Sequence, residues 1–199
     1  GDPTFGCTIL PGADAGAMDA GADAGTDAGS DAGVDAGIVC RPTIDCPIDC
    51  SDFDAWPVAW AAEEMRAFDE MNRFRTEGAL CEGVELPPRA PVVMDRAIRI
   101  SARCHAQDMA ENSFFNYIGT NGRSSITRFR ETGYDGVRDR ELSGQSRDEG
   151  AEWIQHLMGL VHCDAVMSET ATHIGIGRYN VEGDDLILWN APIGKPRPE

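Results

Sequence analysis

Two periods of hydrophobic and polar positions run along the chain after residue 57. From Val58 to Thr76, Ala61, Met65, Phe68, Met71 or Asn72, and Arg75 recur at intervals of three and four, which predicts an amphipathic helix stopped by Gly78. A proline-rich stretch from Leu86 leads to Asp95, a candidate cap for a second helix whose apolar stripe is Ile98, Ala102, His105 and Met109. That helix ends at the aromatic pair Phe114-Phe115 and runs into a polar loop bounded by Gly119 and Gly122. Ser124 caps a third helix over 125–132, closed by Gly133-Tyr134, and a fourth runs from about Asp148 to Gly159. After it the period changes to two. Residues 171–181 alternate as a strand, Glu182-Gly-Asp-Asp reads as a turn, and 186–191 form a second strand.

Residues 1–57 carry neither period. Between 13 and 37 the unit Asp-Ala-Gly-x repeats, with Asp at 14, 19, 23, 27, 31 and 35 and Met18 as one extra residue. Glycine in every unit disfavours a helix by ~1 kcal/mol per residue, and almost no large apolar side chain offsets the ordering entropy, so the tract reads as a solvated stalk. Its aspartates lack the twelve-residue loop pattern of an EF-hand, and calcium is not expected. Cys40, Cys46 and Cys50 follow among Pro42, Pro47 and Pro57, as a small stapled linker with Cys7 as the candidate fourth member; four cysteines pair in three ways. The expected division is therefore an acidic stalk and linker over 1–57 and one folded domain over 58–199.

Charge sharpens this division. Of the net −17, the first 57 residues hold −10, from eleven Asp and no Glu against Arg41 alone. No Lys/Arg cluster offers the counterion release that nucleic-acid binding needs, and no run approaches the roughly 18 apolar residues of a membrane span. Seven cysteines in 199 residues, without the paired spacing of a zinc ribbon, point to an oxidising compartment and to disulfides among Cys7, Cys40, Cys46, Cys50, Cys81, Cys104 and Cys163. The count is odd, so at least one is free, modified or paired between chains.

The order Ala102-x-x-His105-Ala106-x-Asp108-Met109-Ala110, then Phe114-Phe115, then Gly119-x-x-Gly122, resembles bacterial members of the CAP superfamily, the extracellular SCP-like domains. Met71-Asn72-x-x-Arg75 with Gly78, Gly133-Tyr134, His162-Cys163-x-x-x-Met167, Ile174-Gly-Ile-Gly and Leu188-Trp-Asn fall in the family's order over residues 60–192. The resemblance implies an α+β fold, a three-layer α-β-α sandwich. In many such domains two histidines and two acidic residues face a shallow groove that can hold a divalent metal. Here Tyr117 occupies the first histidine's place, His162 the second's, and the glutamate corresponds to Glu141 or Asp139, because two residues are missing from the usual spacing. Asn116 and Tyr117 are the neighbouring oxygen donors. His105, on its apolar stripe, reads as a hydrogen-bonded core residue and not a ligand.

Zinc takes about four N, O or S ligands. With His162 and Glu141 as the residues from which a site would have to be built, neither a metal nor another cofactor is expected. No Gly-x-Ser-x-Gly elbow, His-Glu-x-x-His helix or P-loop is present; Cys81, in the loop after the first helix, and Cys104, on the second, read as a disulfide pair, with Cys163 as the alternative partner for either. The resulting expectation is a secreted or bacterial-surface, non-enzymatic binding module with a degenerate metal groove at Asn116, Tyr117, Asp139, Glu141 and His162. Its partner would be an extracellular lipid, glycan or protein. Two alternatives stand beside it, a structural subunit among other surface-assembly subunits and a metal-dependent hydrolase.

Overall fold

The computed structural model describes residues 56–181 and 183–198, and the backbone of two short segments before them. Those segments, β1 (Phe5–Ile9) and β2 (Ile38–Pro42), pair antiparallel with Cys7 opposite Cys40. The expected stalk over 13–37, Cys46, Cys50 and the side chains of Cys7 and Cys40 lie outside the described residues.

The domain opens with α1 (Val58–Glu77), closed by Gly78 at φ +83°. A short hairpin of β3 (Ala79–Cys81) and β4 (Val84–Leu86) follows, then β5 (Val93–Met94) and α2 (Arg96–Glu111), capped by the Asp95 side chain on the Ile98 N–H. Next come α3 (Ser125–Glu131), capped by Ser124 on the Thr127 N–H, and β6 (Val137–Ser146). The chain then forms α4 (Gly150–Met158), α5 (Cys163–Val166), β7 (His173–Ile174), β8 (Gly177–Asn180) and β9 (Ile187–Lys195).

Five strands form one mixed sheet around β9. It pairs antiparallel with β6 on one side and with β7 and β8 end to end on the other, and β5 adds to β7 in parallel. Alternation along β9 sorts the layers. Ile187, Trp189, Ala191 and Ile193 join Ala67 and Met71 of α1, Trp153, Ile154 and Leu157 of α4 and Val166 of α5 in the main core, where Trp153 stacks on Trp189 at 4.8 Å. Leu188 meets Met109 and Ala110 of α2 on the other face. Helices thus cover both faces of a sheet that is buried on both sides, an α-β-α layering.

The segment Ile174-Gly-Ile-Gly177 shows why the pattern is needed. Its isoleucines are fully buried in the main core. A Cβ at Gly175 or Gly177 would lie 2.2 Å from the backbone nitrogen of Arg99 or Arg103, so the glycines let α2 rest directly on the strand.

Three expectations change. The buried stripe of α1 is Glu64, Ala67, Met71 and Arg75, whereas Met65 is exposed, because Glu64 turns inward to bind arginines of α2. α2 is buried nearly all round rather than on one stripe, since it packs on β8 and β9, touches α3, and sends Arg99 and Arg103 to Glu64 of α1. β6, whose ten residues carry only Val137 and Leu142 as large apolar side chains, is an edge strand where the hydrophobic pattern gave no element. Of its polar side chains, Asp139, Glu141 and Ser143 are buried.

Arg75 and Asn72, part of the motif in α1, act as clamps. The Arg75 guanidinium is 1% exposed and donates to the carbonyls of Ala90, Val166, Ser168 and Ala171, while the Asn72 amide donates to the Val92 carbonyl and accepts from its N–H. Two segments, 90–92 and 166–171, are thereby fastened to α1 through backbone groups.

Candidate functional site

The face of the sheet under α2 and α3 carries a polar cluster. Glu141 on β6 sits opposite Pro192 of β9, and its carboxylate is 1% exposed; the residual exposure of the residue belongs to the backbone of an edge strand. Oε1 accepts from Arg128 Nη2 at 2.7 Å and from the fully buried Asn190 amide at 2.8 Å. Asn190 also donates to Ser143 Oγ at 2.9 Å. Arg128, from α3, donates through Nη1 to the Tyr117 carbonyl at 2.8 Å and to the Arg123 carbonyl at 3.0 Å. One guanidinium therefore joins the carboxylate on the sheet to the loop after α2.

That loop is fixed by Asp108. Its carboxylate accepts from the Thr120 N–H at 3.0 Å, the Thr120 hydroxyl at 2.6 Å and the Asn112 amide at 3.0 Å. Gly119 packs so close that an added Cβ would stand 3.0 Å from Asp108 Oδ2. The motif residues His105 and Asp108 thus hold the loop: His105 Nε2 bonds the Asn116 carbonyl at 2.8 Å, and Phe114 lies edge-on to its ring.

A carbonyl only accepts, so Nε2 carries the proton and Nδ1 presents a lone pair. Burial first, then the Arg128 cation, pull the His105 pKa from 6.5 down to about 4, against the opposing pull of Glu141, the Asn116 carbonyl and Asp108. The unfolded chain takes up this proton near pH 6.5 and the folded one only near pH 4. Stability is accordingly expected to fall as pH drops between those values, by about 2–3 kcal/mol at pH 4.5. Urea unfolding at pH 7 and 4.5 checks it: wild type should lose more than His105→Gln, and equal losses would refute the assignment.

The structure places the sequence-derived residues unequally. Asn116, Tyr117 and Glu141 come together. The Tyr117 side chain is 46% exposed, and partial burial together with the Glu141 charge raises its phenol pKa. Asp139 lies on the other face. A register irregularity between Arg138 and Arg140 turns its side chain toward Ser168, Thr170 at 3.0 Å and Lys195 at 3.0 Å. Burial works to raise its pKa, but these three partners hold it below the ordinary carboxylate value. The bulge thus decides between the two candidates left open by spacing, because one extra residue reverses which face a side chain takes. His162 begins α5, on the α1 and α4 side of the sheet, and no hydrogen bond among the described residues joins it to Glu141 or Tyr117. Among the described residues, no three His, Cys, Asp or Glu side chains are gathered closely enough to hold a metal.

Cys163 pairs with Cys81, fastening α5 to the β3–β4 hairpin. Cys104 is disulfide-bonded as well. Since Cys81 and Cys163 hold each other, the pairing of Cys104 with either is excluded. Sequence reasoning missed Arg128 and Asn190. Their signal was weak, since Arg128 is one of several arginines and Asn190 stood only as part of Leu-Trp-Asn.

The layering and the helical clamps define an SCP, or CAP, type of fold. The solved structure of an extracellular protein containing a SCP domain from Bacillus anthracis str. Ames matches with a TM-score of 0.54 and 15% identity, over 79% of this chain and 46% of that one. An outer surface protein from Borrelia burgdorferi matches with a TM-score of 0.53 and 16% identity, over 68% of this chain and 94% of that one. At such identities the likeness concerns the fold. No family model and no curated protein matches the sequence.

Proposed function

We propose that the chain is a secreted or surface-attached SCP-type module that binds an extracellular ligand without catalysing a reaction, in a groove that works without a metal ion. The observation that carries this reading is the Arg128–Glu141 pair. A carboxylate aimed into a groove attracts a cation; here the guanidinium already supplies that charge at 2.7 Å, with the two side chains 10% and 1% exposed. A divalent ion would have to displace a charge-assisted, buried hydrogen bond and would gain few further ligands, because Tyr117 replaces an imidazole and His162 lies across the sheet. The donor set does not fit a metal.

The extracellular setting is supported by the two solved relatives, one named as extracellular and one as an outer surface protein, and by the disulfides at Cys81, Cys104 and Cys163. The disulfide at Cys104 also removes a candidate thiolate nucleophile from α2. The test is metal content and zinc titration calorimetry on the purified full chain. Wild type is expected to carry no stoichiometric metal and to give no zinc isotherm. One bound equivalent in wild type, lost in Glu141→Gln, would overturn the reading and return the hydrolase to consideration.

A further inference from the structure

Cys104, on α2, is disulfide-bonded, and Cys81 and Cys163 hold each other. Of the seven cysteines this leaves Cys7, Cys40, Cys46 and Cys50 as its candidate partners, and all four precede the domain. One covalent bond therefore joins residues 1–57 to the helix that carries His105 and Asp108. The four N-terminal cysteines do not simply staple one another.

Two observations narrow the partner. Cys7 stands directly opposite Cys40 in the β1–β2 ladder, where Cα atoms lie ~4.5–5.5 Å apart and a disulfide spans ~4.4–6.8 Å, so these two suit each other. The second is where the chain enters the domain. Trp56 is buried, its ring 5.5 Å from that of Trp60 and 6.0 Å from that of Tyr179, and the Arg103 guanidinium lies over it at 4.7 Å. Arg103 is the neighbour of Cys104. Cys50 and Cys46 precede Trp56 by stretches of chain that reach ~20 Å and ~33 Å when extended, so both are long enough to arrive at that turn of α2.

The location has a mechanical consequence. A pull along the N-terminal tract would otherwise fall on the first turn of α1, which is weakly held: Pro57 offers no side-chain cap, no acidic residue complements the helix dipole there, and Val58 is 85% exposed. α2, by contrast, packs on β8 and β9 and is bound to Glu64 through Arg99 and Arg103. A cross-link at Cys104 hands the load to the better-held helix.

We infer that Cys104 is bonded to Cys46 or Cys50 and Cys7 to Cys40, and that this bond anchors the base of the acidic tract on α2. The member of the Cys46–Cys50 pair left over is the chain's odd cysteine.

The experiment is peptide mapping of the oxidised full chain, alkylated with N-ethylmaleimide during unfolding and then cut before aspartate. Such cuts put each cysteine on its own peptide: 2–13 for Cys7, 35–44 for Cys40, 45–48 for Cys46, 49–51 for Cys50 and 95–107 for Cys104. Mass spectrometry without reduction should find 95–107 joined to 45–48 or to 49–51, and 2–13 joined to 35–44. The remaining linker peptide should carry the one label or a bridge to a second chain. Peptide 95–107 joined to 2–13 or 35–44, or itself labelled, overturns the inference. Single-molecule pulling from residue 1 against the C-terminal end tests the anchor. Cys104→Ala is expected to gain a low-force step, as α1 leaves the sheet, that oxidised wild type lacks; the same low-force step in both would overturn the anchoring.

Discussion

Glu64→Gln is expected to cost about 3–5 kcal/mol of stability, the range for breaking a buried ion pair on one side only. Glu64 is fully buried. Its Oε2 accepts from Arg99 Nη2 at 2.6 Å and Arg103 Nη2 at 2.5 Å, and Oε1 accepts from Arg103 Nε at 3.0 Å and the Arg178 N–H at 3.2 Å. Arg103 is itself 2% exposed and lies over the ring of Trp56 at 4.7 Å. The amide keeps the shape of the carboxylate but withdraws the negative charge that Arg99 and Arg103 share there. For a domain of this size the loss corresponds to roughly 10 °C or more in Tm. Thermal and urea unfolding of wild type and variant decide the matter, and a difference below about 1 kcal/mol would show that the network is solvated and weak.

Replacing Cys81 and Cys163 together by alanine should cost a comparable amount. The bond spans 82 residues. Chain-entropy reasoning assigns a loop of that length ~4.5 kcal/mol, with measured values more often about 2–4. Both half-cystines are buried with Met167 against Phe74, Leu86 and Met158, so packing is lost along with the cross-link. The effect should show mainly as a lower denaturant midpoint, which reduction of wild type, opening the Cys104 bond as well, should match or exceed. A double variant as stable as the oxidised protein would mean that the bond adds nothing to the packed hairpin.

Much of the helical frame was legible because local chemistry sets it. Asp95 and Ser124 cap α2 and α3 through their own side chains, and Gly78 ends α1 in a conformation that side chains resist. The closing strands were legible from alternation, and the structure adds that the glycines of Ile174-Gly-Ile-Gly177 seat a helix. By contrast β6 was hidden. A strand is recognised by an apolar face, and one face of β6 is spent on Glu141 and Ser143, which meet Asn190 47 to 49 residues away.

The same reason governs the site. Sequence alone determined which residues were candidates and that His105 belongs to the interior. It left Glu141 and Asp139 undivided, and it paired Cys81 with Cys104, keeping Cys163 as the alternative for either. Tertiary structure resolved both: a bulge faces Asp139 toward Lys195 and Glu141 toward Arg128, and α5 brings Cys163 to the hairpin. Caps, stops and periodicity act over a few residues, so they are written in order along the chain. The pairing of a carboxylate with one particular guanidinium, and the face a side chain takes after a bulge, depend on segments joined only when the layers close, and no local pattern encodes them.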